Sequence, residues 1–340
     1  MNTHPPRILV VGSLVMDLIT STEKIPAAGE TVIGCGFSTA PGGKGANQAF
    51  QAARLGAAVS MVGKVGADSF GQALTSSLAA AGVDVSHILQ DADSYSAVGN
   101  VQLLIEDGRT LNNRIIVAPG ANYRLTAAEV AFLEESIADY DFVILQLEIT
   151  QEVNELVARW AKAKNVPVML NPAPAAPLTD AFLSTLTYIS PNEHEAAELT
   201  GIQFIDGSGR IDEDKMNEAL GVLHKSGVPN VMITLGSRGS ILSSPNGRYA
   251  MPCVPNVNAI DPTAAGDSFL GAFCTALAAG LSQEEALTLA THTAAITVSG
   301  MGAQPSLPDL DTVLRSMERH SIDQKLLSKI RCHLGGISHE

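Results

Sequence analysis

The chain begins its regular pattern with a short run that is apolar at nearly every position, Arg7 to Val11, closed by Gly12-Ser13. Such a run is too short for a helix and predicts a parallel strand covered on both faces. From Asp17 to Ala40 polar and apolar residues alternate, with Thr, Ile, Val and Gly prominent, and a second β-like patch runs from about Ser96 to Ala118 with a turn at Asp107-Gly108. Period-two alternation predicts short strands, and the two patches together predict one small sheet apart from the main body.

Elsewhere the period switches between strand and helix. Lys44 to Leu55 is predicted helical, with Ala46, Ala49, Phe50 and Ala53 on one face and Gly56 as its stop. Thr126-Ala-Ala-Glu129 reads as a capping box opening a helix to about Asp139. Strands are predicted at Asp141 to Glu148, Val166 to Asn171 and Asn230 to Leu235, and helices at Gln151 to Lys164, Asn192 to Leu199 and Asp212 to Lys225. Gly239 to Ser243 and Gly247 to Met251 predict a hairpin about Asn246-Gly247. A small-residue helix follows, Ala264 to Ala279, ended by Gly280; Ser282 with Glu285 then caps a helix running to about Ser299. Beyond about Met317 the tail is polar and helix-like, an appended helix or a frayed one. Alternating strands and helices predict an α/β, three-layer αβα sandwich around a mostly parallel sheet.

Composition narrows the function. With 340 residues, 46% hydrophobic and a mean hydropathy of +0.17, the chain is no disordered polymer. Lys+Arg number 21 against Asp+Glu 35, a net charge of −14, which argues against a nucleic-acid partner because phosphate backbones need a basic face. A nucleotide-binding enzyme remains compatible, since backbone N–H groups and a metal can hold phosphates. The N-terminal apolar stretch is interrupted by Gly12, Ser13 and Asp17, and no span is long enough for a membrane. Cys35, Cys253, Cys274 and Cys332 are scattered without a C-x-x-C pair, so a cytoplasmic protein without a disulfide framework or structural zinc is expected.

Four segments carry candidate chemistry. In Asp261-Pro-Thr-Ala-Ala-Gly-Asp267, a helix begins on residues with little or no side chain. Unpaired N–H groups and the positive dipole end there let an anion approach Ala264, Ala265 and Gly266. Asp267 in the first turn is placed to take a proton from a hydroxyl beside that anion; an ordinary Asp-stabilised helix start is the plainer alternative. Ala40-Pro-Gly-Gly-Lys-Gly-Ala-Asn47 puts adjacent glycines before a helix, which allows close ligand approach or merely a tight turn. It is not a P-loop, because no Ser or Thr follows Lys44. Thr234-Leu-Gly-Ser-Arg-Gly239 is a glycine turn after a strand, where nucleotides commonly sit. In Pro191-Asn-Glu-His-Glu195, Asn192 and Glu195 share a helical face and suit the waters of a magnesium ion, or a solvated acidic face. His194 lacks a second histidine at metal-ligand spacing.

Taken in order, GGKGANQA, LQLE (Leu145–Glu148), NPAP (Asn171–Pro174), PNEHEA, TLGSRG, DPTAAGDSF and GAQPS (Gly302–Ser306) resemble the ribokinase-like (PfkB) family of sugar kinases over Arg7 to Leu310. The resemblance implies ATP-dependent phosphorylation of D-ribose on its 5-hydroxyl, with the two β patches (17–40 and 96–118) forming a lid and the lids of two subunits pairing in a homodimer. By position it implies Asp267 as catalytic base and Ala264, Ala265 and Gly266 as anion hole. Asp17, Gly42, Gly43, Lys44, Asn47 and Glu148 join Asp267 as sugar-binding positions; Lys44 would also spread developing phosphate charge. Asn192, Thr234, Gly236, Ser237, Gly239 and His292 match nucleotide positions. Glu195 with Asn192 matches a Mg2+ network, and Asp261, Thr263, Thr297, Gly300, Gly302 and Ser306 a K+ or other monovalent-cation site. Kinase residues 7–316 and an extension, 317–340, are implied. Two departures stand out. Val15 replaces an Asn that commonly helps hold sugar hydroxyls, which makes 2-deoxyribose the nearest alternative substrate, ahead of fructose or nucleosides. Pro262 replaces the more usual Thr. A sugar-binding regulator on a retired kinase fold is the alternative of a different class.

Overall fold

Along the first strand, Ile8 and Val10 enter one hydrophobic core while Leu9 and Val11 enter another. That division is what a two-residue period requires of a strand sandwiched between helical layers, and all four side chains are fully buried. The structure is a computed structural model describing residues 4–106 and 109–335. The turn expected at Asp107-Gly108 lies outside the described residues.

In chain order, β1 (Arg7–Val11), β2 (Val15–Thr22) and β3 (Gly36–Gly42) precede α1 (Lys44–Arg54). Residues not assigned from the sequence pattern follow: β4 (Ala58–Gly66), α2 (Ser69–Ala80) and β5 (Asp84–Asp91). Next come β6 (Val98–Glu106), β7 (Arg109–Ala118), α3 (Leu133–Ser136), β8 (Phe142–Gln146), α4 (Gln151–Ala163), β9 (Val168–Asn171), α5 (Asp180–Leu183) and β10 (Tyr188–Ile189). The chain continues with α6 (Glu193–Thr200), α7 (Glu213–Lys225), β11 (Asn230–Thr234), β12 (Ser240–Ser244), β13 (Gly247–Met251), α8 (Ala265–Ala278), α9 (Gln283–Thr297), α10 (Leu310–Arg319) and α11 (Gln324–Leu334).

Nine strands form the main sheet in the order β13-β12-β11-β10-β9-β8-β1-β4-β5. Its pairings are parallel except β11–β12 and β12–β13, the hairpin expected about Asn246-Gly247. Helices α1, α2 and α8 to α11 cover one face and α4, α6 and α7 the other, giving the three layers. A separate four-stranded sheet, β3-β2-β6-β7, stands beside this body. Its exposed residues include Phe37, Ile115, Ile116 and Val117, and Ile33 is exposed on the β2–β3 connection.

The expected helix from Thr126 to Asp139 is corrected. Glu129 does reach back to the Thr126 N–H at 2.9 Å, but only turns follow, then the four-residue α3 and a 3-10 turn. The side chain of Glu129 also meets Lys64, 2.8 Å away, and the Thr126 hydroxyl donates to Glu129 Oε2 at 2.8 Å while the Glu129 N–H goes to Thr126 O, so the box is not completed. The tail is an ordered appended helix: Leu327, Ile330 and Leu334 of α11 are buried in the same core as α8 and α9. The expected boundary after residue 316 falls inside α10, where Met317 is fully buried.

Candidate active site

The order of the main sheet reverses between β1 and β8, whose ends lie side by side with Val11 paired to Leu145. Beyond the carboxyl ends of strands at such a reversal, α/β sheets open a crevice. Ser13 leaves β1 and Glu148 follows β8, and the Ser13 hydroxyl donates to Glu148 Oε2 at 2.6 Å. The same carboxylate oxygen accepts the Lys44 N–H at 3.0 Å, while Gly45 N–H donates to Ser13 Oγ at 3.2 Å. Gly43, the residue before α1, has φ 93° and no side chain to cap the helix. A Cβ there would stand 2.7 Å from the Val15 nitrogen, so a carboxylate from far along the chain takes the capping role.

Asp17 lies on β2, between β3 and β6 of the small sheet. Two glycines make room for it: a Cβ at Gly42 would fall 2.8 Å from its Oδ2, and one at Gly99 2.4 Å from its Oδ1. Burial, and after it the charges of Glu148 and Asp267, push the Asp17 carboxyl up to about 7. Val15, two residues earlier, is buried with 4% exposure.

Asp267 occupies the first turn of α8. Ala264 precedes that helix in the left-handed region, φ 60°, and no side chain caps it. Gly266 is exposed at the helix start whereas Asp267 is buried. Ala265 N–H is occupied by Pro262 O at 3.2 Å and Ser268 N–H by Ala264 O at 2.8 Å. The amide groups between them, at Gly266 and Asp267, are the open positive end of the dipole. Asn47 Nδ2 donates to Asp267 Oδ2 at 2.9 Å and Gln48 Nε2 to Oδ1 at 2.9 Å. Asn47 Oδ1 is buried without a hydrogen-bond partner, an acceptor suited to a substrate hydroxyl. Burial raises the Asp267 carboxyl; Lys44 and the two amides draw it back down, and Glu148 pushes it up again, leaving it above the usual carboxylate range. For Lys44 burial disfavours the ammonium, but Asp267, Glu148 and Glu195 outweigh it and raise the group. Four acidic or basic groups from distant parts of the chain thus share one field.

Asn192 and Glu195 have a structural task. The Asn192 side chain accepts from the N–H groups of His194 and Glu195, and Glu195 Oε2 accepts from Asn192 N–H at 2.8 Å, a complete capping box for α6. Glu195 keeps its other oxygen, and burial raises its carboxyl against the opposing pull of the Asn192 N–H and Lys44, with Asp267 and Glu193 adding to the rise. Thr234 bridges to Asn192 in parallel, and its N–H bonds to Pro191 O at 3.1 Å, which joins the two nucleotide-position segments. Gly236 and Ser237 are exposed on the turn after β11. Gly239 has φ 90°, and a Cβ there would stand 2.0 Å from Met251 O. His292 is buried on α9, its Nδ1 3.4 Å from Ser316 Oγ and its ring 5.4 Å from that of His320. Burial, with His320 beside it, lowers His292 to about 4, so it is a neutral ring at physiological pH.

Asp261 Oδ1 accepts from Thr263 N–H at 2.9 Å and Thr263 Oγ1 at 2.6 Å, and Oδ2 from Gly302 N–H at 2.9 Å. Its own N–H bonds to Val298 O at 3.1 Å, next to Thr297. A Cβ on Gly300 would meet Ser306 Cβ at 2.8 Å. Asp261, Thr263, Thr297, Gly300, Gly302 and Ser306 therefore form one oxygen-rich loop cluster beside the start of α8. Among the described residues no group of three or more His, Cys, Asp or Glu stands ready to hold a metal. Oxygen donors suit K+, and a Mg2+ ion would depend on phosphate oxygens and water with one carboxylate. A cleft of about 380 Å³ separates the small sheet from this cluster, lined by Asp17, Ile19, Ala40, Asp261, Thr263 and Gly302 among others.

Several site residues were not singled out from the sequence: Ser13, Gly99 and, apart from the motifs that contain them, Gln48, Gln146 and Asn171. Gln146 interrupts an apolar strand and Gln48 adjoins Asn47; polar residues at positions patterned for burial were the available signal.

An open helix start over a buried carboxylate, beside a loop that lines the cleft under the small sheet, is a geometry that suits phosphoryl transfer to a small hydroxylated molecule. The pfkB family carbohydrate kinase model matches residues 5–310, and the chain belongs to that family. It is 39% identical over 306 residues to the ribokinase of Bacillus subtilis (strain 168), covering 90% of this chain and 97% of that one. A deoxyribokinase from Salmonella typhi is 31% identical over 306 residues, covering 89% and 96%. The structure of Arabidopsis thaliana ribokinase complexed with ribose and ATP superposes with a TM-score of 0.82 at 31% identity, covering 93% of this chain and 99% of the other.

Proposed function

We propose that this protein transfers the γ-phosphoryl group of ATP to the 5-hydroxyl of D-ribose, giving D-ribose 5-phosphate and ADP. The observation that carries the mechanism is the Asp267 carboxylate, buried beneath the exposed amide of Gly266 with both oxygens held by amides. Asp267 accepts the hydroxyl proton as the new O–P bond forms and the bond to the leaving ADP oxygen breaks. The phosphoryl transition state is loose, so positioning and charge neutralisation dominate. The amides of Ala264 to Gly266 and the ammonium of Lys44 face that charge, with the Gly266 N–H the principal donor because Ala265 N–H is already bonded. Asp17, Gly42, Gly43, Asn47 and Glu148 bind the sugar. Asn192, Thr234, Gly236, Ser237, Gly239 and His292 bind the nucleotide, His292 by its neutral, buried form packing rather than by charge.

Magnesium, bound with ATP, supplies neutralisation of phosphate charge, and Glu195 would hold its waters through the oxygen left free by the capping box. A monovalent cation, K+ above Na+, would be held by Asp261, Thr263, Thr297, Gly300, Gly302 and Ser306, mainly through carbonyl oxygens, and would tune the neighbouring anion hole. The kinase unit expected over residues 7–316 takes 17–40 and 96–118 as its lid, and α10 and α11 extend its core beyond residue 316. Exposed Phe37, Ile115, Ile116 and Val117 on the lid support a homodimer joined there; Ile116→Asp, run by sedimentation, should then be monomeric, and an unchanged species would reject it. The four cysteines are free, which supports a reducing cytoplasm, and among the described residues no helix is long and apolar enough to cross a membrane.

Val15 favours a second reading, 2-deoxyribose kinase, because an apolar side chain offers a sugar hydroxyl no partner. Measuring kcat/KM for both pentoses with coupled ADP detection separates them. Ribose is expected to lead, and a strong preference for 2-deoxyribose would overturn the substrate assignment.

A further inference from the structure

Three buried amide side chains, Gln48, Gln146 and Asn171, stand behind Asp267 in a connected set. Gln48 Nε2 gives one hydrogen to Asp267 Oδ1 at 2.9 Å and approaches Asn171 Oδ1 at 3.3 Å with the other. Gln48 Oε1 accepts from Gln146 Nε2 at 2.7 Å. Every polar atom of Gln48 is thus engaged, and its amide can point only one way. Asn171 is held in turn by its Nδ2 bond to Ser190 O at 3.1 Å, which directs its oxygen toward Gln48. Gln146 reaches Gln48 through space that two glycines leave open: a Cβ at Gly12 would stand 1.9 Å, and one at Gly45 2.9 Å, from Gln146 Oε1. That oxygen is itself buried without a partner. Gly271, one helical turn beyond Asp267 on the same face, lets α8 approach α1 closely, since a Cβ there would lie 2.9 Å from Gln48 O.

Such a network has no evident value for stability. Replacing hydrogen-bonded polar partners by apolar groups of equal shape is often neutral, and an unpaired buried amide oxygen is a cost. Its one chemical terminus is the Asp267 carboxylate. We propose that Gln48 is a positioning residue for the reaction, with Gln146 and Asn171 locking its amide so that it presents N–H and never C=O to Asp267. The inference rests on the reading of Asp267 as the base. An N–H on Oδ1 favours the ionised, proton-accepting form and fixes the rotation of the carboxylate, leaving its remaining lone pairs for the sugar hydroxyl. The groups facing Asp267 from other elements are Lys44 of α1, Glu148 after β8, Asp17 of β2 and Glu195 of α6.

The test compares pH profiles of kcat and kcat/KM for Gln48→Met, which keeps the length and removes the donors, with those of Asp267→Asn. Gln48→Met should lower kcat about tenfold or more and move the acid limb of kcat/KM up by about one pH unit, with KM for ATP within about twofold. An active Asp267→Asn enzyme would sink the reading of the base itself. If Asp267→Asn is inactive but Gln48→Met leaves the acid limb in place, the positioning role is overturned, whether kcat is normal or falls with thermal stability. Should Gln48→Met not fold, Gln146→Met leaves Gln48 present with its amide free to rotate, and must move the same limb in the same direction; an unmoved limb there also overturns the inference.

Discussion

Asp17 and Gly99 face each other across the β2–β6 pairing, and the absence of a side chain at Gly99 is what admits the Asp17 carboxylate: a Cβ would stand 2.4 Å from its Oδ1. Gly42 leaves room for the opposite oxygen in the same way, since a Cβ there would fall 2.8 Å from Oδ2. Gly99→Ala should therefore displace a sugar-binding group without touching the nucleotide site. KM for ribose is expected to rise about tenfold or more, with KM for ATP unchanged, because a buried polar group that loses its partner costs about 1–3 kcal/mol. Unaltered ribose KM in steady-state assays would argue that Asp17 does not bind the sugar.

The same carboxyl makes stability depend on pH. Unfolded, it ionises near 3.8; folded, near 7. Between those values the native state holds the extra proton, so the contribution is complete below 3.8 and is lost as pH rises through about 7. Relative to Asp17→Asn, the wild type should lose stability from pH 4 to 7, by at most about 1.4 kcal/mol per pH unit, and then level off. Urea melts of both proteins across that range read the difference, and a difference that grows in favour of the wild type has the wrong sign.

Asp267→Asn retains the shape of the side chain and removes its basicity. Turnover should fall about 10²–10⁴-fold at neutral pH, while ATP binding by calorimetry stays close to the wild-type value.

Potassium should activate more than sodium. Asp261→Ala removes the acceptor that ties Gly302 and Thr263 into one loop, and the half-activating potassium concentration should rise with little effect in potassium-free buffer. Equal wild-type rates with and without potassium would dismiss the cation site.

Leu327 on α11 is fully buried in the core shared with α8 and α9. Leu327→Ala should lower unfolding free energy by about 2–5 kcal/mol, read by chemical denaturation, without moving KM for either substrate. A cost near zero would mean that the terminal helix is dispensable to the fold.

Periodicity carried the architecture well. The uninterrupted apolar run at Arg7–Val11 and the alternation around Asp17 had distinct signatures, and they became a doubly covered strand and a separate sheet. Residues 58–91 went unread although they hold β4, α2 and β5. The Thr126–Glu129 signature misled because Glu129 does bond back to Thr126, yet only turns and the four-residue α3 follow. Asp267 and Glu148 were legible as motif residues and Asp17 by its position, whereas Gln48, Gln146 and Asn171, though inside motifs, carried no signal of a role.

Most strands and helices, the small-residue start of α8 and the set of carboxylates were legible along the chain, though β4, α2 and β5 were not, because backbone preference and side-chain chemistry are local properties. Only the tertiary structure decided that Glu148 would cap α1, that Gly99 would make room for Asp17 and that Gln146 would orient Gln48 beside Asp267. Those contacts join residues tens to hundreds of positions apart. Their geometry comes from which strands become neighbours and how closely two helices approach, and no stretch of local pattern encodes that.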